Sequence, residues 1–248
     1  MQDKEIEFAI IGAGRFGLFW GKQLSKFYPV SFYDIDNSQI KLVESIGKWE
    51  DLSECLKKQF IFLTLPIRNI EEFLKHNSSE IAPGSVIIDC ASVKIAVLGW
   101  LEKYIPPQNF YISCHPLFGP DSAKNSLEGQ SITMIPGRVP YSKYNFLVEI
   151  FSNQLHLNVL TMSAKEHDNL MAYNLCLIHH LGRTFSELQI YKLPIMMAAL
   201  QKINGIADVV TNDSDELFED FYRFNPYAKD LEKEFLTVFK SISPTGNY

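Results

Sequence analysis

Three glycines near the start of the chain have the spacing of a phosphate-binding turn. Gly12, Gly14 and Gly17 form the pattern G-x-G-x-x-G directly after the short apolar run of residues 7–11. Gly12 allows a sharp turn out of a strand, and Gly14, which has no Cβ, lets a pyrophosphate approach the backbone. Gly17 lets the following helix pack closely. The pattern predicts that a dinucleotide pyrophosphate binds at the helix N-terminus. Arg15 and Phe16, between the last two glycines, are predicted to line the same site.

An acidic residue follows the second apolar run at the position expected for a ribose-binding carboxylate. Asp34 ends the run of residues 30–33 and lies 17 residues beyond Gly17. A carboxylate there accepts hydrogen bonds from the 2′-hydroxyl of NAD and repels the 2′-phosphate of NADP. The alternative is a chance glycine-rich turn with a helix-capping acid. The order of strand, turn, helix, strand and acid favours NAD as the cofactor.

His115 is a candidate general base. It follows the apolar run of residues 110–114 and precedes the stiff segment of residues 116–120, which contains two prolines. Dehydrogenation of an alcohol needs a base to accept the hydroxyl proton, and imidazole has a suitable pKa near neutral pH. The alternative is a loop histidine that bonds a carbonyl group. Spacing alone leaves both interpretations open.

Ser92 is a second candidate for chemistry. It lies in the segment after the run of residues 85–89, two residues before Lys94. Its hydroxyl could bond a substrate alcohol or the nicotinamide amide of a cofactor. The alternative is an N-cap for the helix predicted near Val97, or a nearby turn, which residue type alone would favour.

Seven apolar runs alternate with helical patterns up to Met162. They comprise residues 7–11, 30–33, 60–66, 85–89, 110–114, 131–135 and 158–162. This alternation predicts an α/β fold with a doubly wound, Rossmann-type, mostly parallel sheet. Leu65 and Pro66 end the third run, at the sheet edge where such folds bind ligands, and are therefore predicted to contact the cofactor.

The alternation stops after Met162. Ser163 and Glu166 have the spacing of a capping box, and the pattern is helical from there to about residue 239. We therefore predict a nucleotide-binding domain at residues 1–162 and an all-helical domain at residues 163–248. The amount of apolar surface in the helical half suggests a homodimer formed through this domain.

The composition excludes several classes of protein. The 248 residues are 46% hydrophobic with a net charge of -6, which argues against a nucleic-acid partner. No apolar run reaches 18 residues, so no membrane span is expected. The first strand begins within about six residues, which leaves no room for a signal peptide. The four cysteines form no C-x-x-C pair, so we expect no metal site, no disulfide framework and a reducing, cytoplasmic location.

Three blocks of the sequence resemble the prephenate/arogenate dehydrogenase family of tyrosine biosynthesis. They are the D-x-x-S-x-K segment of residues 89–94, the H-P-L-F-G-P segment of residues 115–120, and Glu166-His167-Asp168 followed by His179. The resemblance covers residues 6 to 240. It implies NAD-dependent oxidative decarboxylation of a cyclohexadienol that carries a ring carboxylate. By the same resemblance, His115 accepts the hydroxyl proton, Ser92 orients the hydroxyl, and His179 lies at the substrate pocket.

The sequence departs from the family pattern on the substrate side. The family carries an arginine in the helix that corresponds to residues 194–208, where it grips the ring carboxylate, and this chain has only Lys202 there. Arg183, one turn after His179, could substitute, as could a group from a partner subunit. The family also has a glutamine a few residues before its second histidine. This glutamine is missing here, and Leu175 lies near its position. Two alternatives stay open: a related NAD-dependent dehydrogenase acting on another cyclic or hydroxy acid, and a non-catalytic dinucleotide-binding homologue.

Overall fold

The chain forms two compact units. The structure, a computed structural model, describes residues 6–242. The units are Met1–Ala164 and Lys165–Tyr248, and their division falls two residues beyond the boundary that the sequence places after Met162. Residues 1–5 and 243–248 of the two predicted domains lie outside the described residues.

The first unit contains an eight-stranded sheet. Its strands are β1 (Phe8–Ile11), β2 (Val30–Tyr33), β3 (Lys48–Trp49), β4 (Phe60–Leu63), β5 (Val86–Asp89), β6 (Phe110–Pro116), β7 (Ser131–Pro136) and β8 (Asn158–Thr161). The strand order is β3-β2-β1-β4-β5-β6-β7-β8. All neighbours pair in parallel except β6 and β7, which are antiparallel. This confirms the predicted Rossmann-type, mostly parallel sheet. The two-residue strand β3 was not predicted from the sequence.

Helices connect the strands of the first unit. They are α1 (Arg15–Leu24), α2 (Ile40–Val43), α3 (Leu52–Cys55), α4 (Ile67–Asn77), α5 (Ile95–Tyr104) and α6 (Tyr141–Glu149). Trp20 of α1 is fully buried and meets the ring of Phe62 on β4 edge-on at 5.9 Å between centroids. A Cβ on Gly21 would lie 2.1 Å from the ring of Phe32. Helix α1 therefore packs tightly on the sheet, which fixes the position of its N-terminus.

The end of β6 differs from the sequence prediction. His115 and Pro116 were predicted to lie in the loop after the strand, but both belong to β6, where His115 pairs with Thr133 and Pro116 with Ile132 on β7. The antiparallel partner extends β6 past the end of β5. Local apolar periodicity carries no signal for such an extension.

The second unit is helical. Its helices are α7 (Ala164–Met171, whose first residue ends the first unit), α8 (Ile178–Glu187), α9 (Ala198–Val210), α10 (Asp215–Phe224) and α11 (Ala228–Ser241). A π-helical segment, Ala172–Leu177, joins α7 to α8. Helix α8 approaches α9 so closely that a Cβ on Gly182 would lie 2.3 Å from a methyl group of Val210. No helix within residues 6–242 has the length and apolar character needed to cross a membrane.

Candidate active site

The glycine-rich turn between β1 and α1 has the backbone shape that its sequence predicts. Gly12 has a φ of +107°, and a Cβ there would lie 2.8 Å from the carbonyl oxygen of Thr64. A Cβ on Gly17 would lie 1.9 Å from the carbonyl oxygen of Gly12. By contrast, no atom lies within 4 Å of the Cβ position of Gly14, which is exposed. The first and third glycines are therefore needed for packing, and the second leaves an open surface.

The N-terminus of α1 is available to an anion. Gly14 is its N-cap and provides no side-chain hydrogen bond, and the first turn contains no acidic residue. The N–H groups of this turn have no partner within the helix, and the helix dipole adds partial positive charge. The ring of Phe16 stacks on the buried Trp20 at 6.0 Å, so the side chain of Phe16 packs inward. The turn therefore fits a pyrophosphate through backbone groups.

Asp34 lies against this turn. One carboxylate oxygen accepts a hydrogen bond from the N–H of Ala13 at 2.6 Å, and the other accepts one from the N–H of Asp36 at 2.9 Å. A carboxylate can accept about four hydrogen bonds. Acceptor capacity remains for the hydroxyl groups of a ribose placed over the turn.

Thr64, which is not among the residues predicted from the sequence, connects the end of β4 to the glycine-rich turn. Its hydroxyl donates to the carbonyl oxygens of Gly12 at 2.7 Å and Ile11 at 3.1 Å. The next residue, Leu65, is half-buried beside Gly12, and Pro66 is exposed as the N-cap of α4. The sequence did contain a signal for Thr64. Its hydroxyl comes at the end of a predicted strand, directly before the two predicted cofactor contacts Leu65 and Pro66.

Arg15 is exposed at the first position of α1 and already has a partner. Its Nη2 lies 2.8 and 3.0 Å from the two carboxylate oxygens of Asp121, which lies in the segment after β6. Both side chains are more than 60% exposed. Exposed pairs of this kind contribute about 0–1 kcal/mol to stability, so the guanidinium can exchange partners readily.

Ser92 lies in the connection from β5 to α5 and is half-buried. The N-cap of α5 is Lys94, so the interpretation of Ser92 as the cap of this helix is wrong. Within residues 6–242 the Ser92 hydroxyl has no hydrogen-bond partner. It is therefore available to a ligand at this edge of the sheet.

A fully buried polar cluster lies next to Ser92 and His115. Asp89, Lys94 and Ser113 are all 0% exposed. The Lys94 ammonium forms a short ion pair with Asp89 and donates to the carbonyl oxygen of Cys114 at 2.6 Å. The Asp89 carboxylate also accepts hydrogen bonds from the Ser113 hydroxyl and from the N–H of Ala91. We call Asp89, Lys94 and Ser113 the buried polar cluster.

His115 stands at the carboxyl edge of the sheet. Ser113 is paired with Asp89, the last residue of β5, so His115 lies two residues past the end of that strand. The His115 residue is 8% exposed, and its carbonyl oxygen accepts a hydrogen bond from the Thr133 hydroxyl at 3.3 Å. The ends of β1, β4, β5 and β6 therefore bring the glycine-rich turn, Ser92 and His115 to one edge of a single sheet.

In the second unit, His179 lies near the start of α8 and is 4% exposed. Its Nε2 lies 3.4 Å from a carboxylate oxygen of Asp213, and its ring meets Phe221 edge-on at 5.1 Å. Nδ1 is buried without a hydrogen-bond partner among the described residues. Burial lowers the pKa of His179 below its ordinary value, although the Asp213 carboxylate acts in the opposite direction. The neutral imidazole is therefore favoured.

Arg183 lies one turn after His179 and is engaged with the start of α10. It forms an ion pair with Asp215 and donates to the carbonyl oxygens of Asp213 at 3.1 Å and Ser214 at 3.2 Å. Its guanidinium also lies 4.8 Å from the ring centre of Phe218. To bind a substrate carboxylate, Arg183 would have to exchange these partners.

Lys202 and His167 are the remaining residues of the second unit that the sequence motifs point to. Lys202 is exposed on α9, and no acidic partner for it occurs among residues 6–242. His167 is fully buried on α7, where its Nδ1 lies 2.8 Å from a carboxylate oxygen of the equally buried Asp168. His167 is not among the predicted site residues, and this buried pair is compatible with a structural role.

The first unit has the architecture and the turn of a Rossmann-type dinucleotide-binding protein. The family model for the prephenate dehydrogenase nucleotide-binding domain matches residues 22–154, which is just over half of the chain. The chain belongs to this family, as the resemblance of its motifs predicted.

Similar proteins include two chloroplastic enzymes of Arabidopsis thaliana. Arogenate dehydrogenase 1 is 25% identical over 96% of this chain, but the match spans only 38% of that protein. Arogenate dehydrogenase 2 is 24% identical over 96% of this chain and 69% of its own length. The chain thus spans from about two fifths to about two thirds of these relatives.

Two solved structures share the fold. Prephenate dehydrogenase from A. aeolicus, in complex with hydroxyphenyl propionate and NAD+, superposes with a TM-score of 0.75 at 21% identity, covering 98% of this chain and 92% of that one. Arogenate dehydrogenase from Synechocystis superposes with a TM-score of 0.69 at 18% identity, covering 96% and 92%. At these identities the likeness shows the fold alone.

Proposed function

We propose that this protein is an NAD-dependent dehydrogenase that oxidatively decarboxylates prephenate or arogenate in tyrosine biosynthesis. The observation that carries the proposal is the common location of the glycine-rich turn, Ser92 and His115 at the carboxyl edge of one sheet, where such folds bind ligands. The family membership and the NAD+ complex of the A. aeolicus relative support the same cofactor and reaction class.

NAD fits the residues of the first unit. Gly12, Gly14 and Gly17 shape the turn, and the N–H groups at the start of α1 would hold the pyrophosphate. Asp34 would accept hydrogen bonds from the adenosine ribose, and its charge disfavours a 2′-phosphate. When bound, NAD supplies the hydride acceptor.

Ser92 and His115 would carry out the transfer of the proton from the substrate hydroxyl. Ser92 would orient the substrate hydroxyl through its available oxygen, and a ring nitrogen of His115 would accept the hydroxyl proton while hydride leaves the same carbon. The ring then releases carbon dioxide and becomes aromatic, which makes the reaction effectively irreversible. His115 must be neutral to accept the proton.

For the substrate side, we propose His179, Arg183 and Lys202 as binding residues. A ring carboxylate would be held by Arg183 after exchange with Asp215, or by Lys202 as a point charge. The engagement of Arg183 also favours a second candidate function, in which a related NAD-dependent dehydrogenase acts on another cyclic or hydroxy acid. A reducing, cytoplasmic location is part of the proposal, since the four cysteines are free thiols.

A rate assay with prephenate and arogenate, each with NAD and NADP, tests the proposal. We expect reduced nucleotide to form with NAD and at least one of the two acids. If another cyclic or hydroxy acid is oxidised instead, the second candidate is correct. If NAD binds but no tested acid transfers hydride, the protein is a non-catalytic homologue and the proposal is wrong.

A further inference from the structure

We propose that Asp89 and Lys94 are positioning residues that hold Ser92 and His115 in place for the reaction, an inference that rests on the proposed function. Neither residue would touch substrate or cofactor, because both side chains are 0% exposed. Contacts of the two side chains reach Ala91 and Cys114, which directly precede Ser92 and His115.

The contacts of Asp89 reach both sides of the proposed site. One carboxylate oxygen accepts from the N–H of Ala91 at 3.0 Å and pairs with Lys94, and the other accepts from the Ser113 hydroxyl. Ala91 directly precedes Ser92, and Ser113 lies two residues before His115 on the same strand. The carboxylate therefore links the start of the Ser92 connection to the strand that carries His115.

Lys94 completes the link. Its ammonium donates to the carbonyl oxygen of Cys114, the residue bonded to His115, at 2.6 Å. Lys94 is also the N-cap of α5, so the chain on either side of Ser92 is fixed, by Asp89 before it and by Lys94 after it. The buried ion pair of Asp89 and Lys94 therefore connects the Ser92 segment to the strand that carries His115.

A purely stabilising role explains this arrangement poorly. Burying an ion pair carries a desolvation penalty that often offsets its attraction, and apolar residues of similar volume commonly stabilise a fold equally well. A positioning role accounts for a fully buried lysine at this place, because a displacement of about 1 Å in a reacting group can lower a rate by about 100-fold.

The test compares Lys94→Met and Asp89→Asn with Lys58→Met. Lys58 pairs with Glu50 at 3.0 Å, and both side chains are about 10% exposed, so Lys58→Met removes a lysine from a comparable ion pair just before β4, at the opposite edge of the sheet. Asp89→Asn keeps the side-chain shape and serves if Lys94→Met does not fold. For each variant we would measure kcat, the NAD dissociation constant, the melting temperature and the ring resonances of ¹⁵N-labelled histidines, with His115 assigned from His115→Ala.

We expect Lys94→Met and Asp89→Asn to lower kcat by 10-fold or more and to shift or broaden the His115 resonances, with the NAD dissociation constant changed less than twofold. Lys58→Met should leave kcat and the His115 resonances unchanged even where it lowers the melting temperature. The inference would be overturned if the His115 resonances did not move. It would also be overturned if kcat fell no more than in Lys58→Met at equal melting temperature. Because the resonances need no substrate, they decide the matter even if the wild-type protein oxidises neither acid, which would count against the proposed function alone.

Discussion

At the scale of single residues, the proposed reaction depends first on His115. His115→Ala removes the proposed general base, and such a group typically contributes about 10²–10⁴-fold to a rate. We expect kcat to fall by that factor with little change in the NAD dissociation constant. His76→Ala, an exposed histidine on α4, is the matched control and should retain full activity.

The same residue sets the expected pH dependence of the rate. His115 accepts a proton only when neutral, so the rate of the chemical step should fall as the pH drops and the imidazole becomes protonated. Single-turnover rates from pH 5 to 8 measure this directly. A flat profile across that range would argue against His115 as the base.

Asp34 is the residue that we propose sets the choice between NAD and NADP. Asp34→Ala removes the charge that would repel a 2′-phosphate, so we expect the preference for NAD over NADP to shrink in the ratio of kcat/KM values. Asp36→Ala, two residues further on, removes a carboxylate that accepts hydrogen bonds from the N–H and the hydroxyl of Ser38, and is the control. If Asp34→Ala keeps the same preference for NAD over NADP as the wild type, Asp34 is not part of the ribose site.

At the scale of secondary-structure elements, His179 should make the stability of the second unit depend on pH. Its pKa in the folded protein is lowered by burial, so the unfolded chain binds more protons just below pH 6.5. Stability should therefore be fully present above about pH 6.5 and decrease as the pH falls through the lowered pKa.

Thermal melts between pH 5 and 8 test this expectation. His179→Gln should flatten the decrease in melting temperature on the acid side, because the buried titrating group is gone. His76→Gln, at an exposed position of α4, controls for the loss of a histidine. An equally steep acid-side decrease in His179→Gln would assign the effect to another group.

The elements also show how far the sequence could predict the fold and the site. The strands β1 and β4 and the glycine-rich turn were predictable, because continuous apolar runs and glycine spacing are local signals. The extension of β6 through His115 was not, since it depends on pairing with Thr133, which lies 18 residues away.

The hydrogen-bond and ion-pair partners of the side chains could not be predicted from the sequence either. The D-x-x-S-x-K motif identified Ser92, but the pairing of Lys94 with Asp89 and with the Cys114 carbonyl requires two adjacent strands to be in register. The π-helical segment Ala172–Leu177 changes the rotation between His167 and His179. The geometry of a regular α-helix therefore does not predict how these two side chains are oriented relative to one another. The engagement of Arg183 with Asp215 is likewise non-local.

At the scale of the whole molecule, the second unit carries several large apolar side chains that are exposed. Leu188, Ile195 and Met197, around the connection from α8 to α9, are 66%, 82% and 79% exposed, and Phe239 of α11 is 59% exposed. Large exposed apolar side chains concentrated in one unit are typical of an interface. We propose a homodimer formed through this unit.

Light scattering of the purified protein tests the dimer. Ile195→Glu places a charge in the exposed apolar region and should shift the molecular mass towards that of a monomer. Ile35→Glu, at an isoleucine of the first unit that is 88% exposed, should leave the mass unchanged. A wild-type protein that is monomeric at micromolar concentration would contradict the proposal.

The exposed pair of Arg15 and Asp121 has a consequence for the way nucleotide affinity should respond to salt. A phosphate arriving at α1 meets an arginine that already has an anionic neighbour, so binding replaces one screened contact by another, with little net electrostatic gain. Attraction of the pyrophosphate would then come mainly from uncharged backbone amides. We expect the NAD dissociation constant to vary by less than about threefold between 50 mM and 500 mM sodium chloride. Asp121→Asn, which leaves Arg15 without its counter-charge, should introduce the salt dependence that the intact pair suppresses.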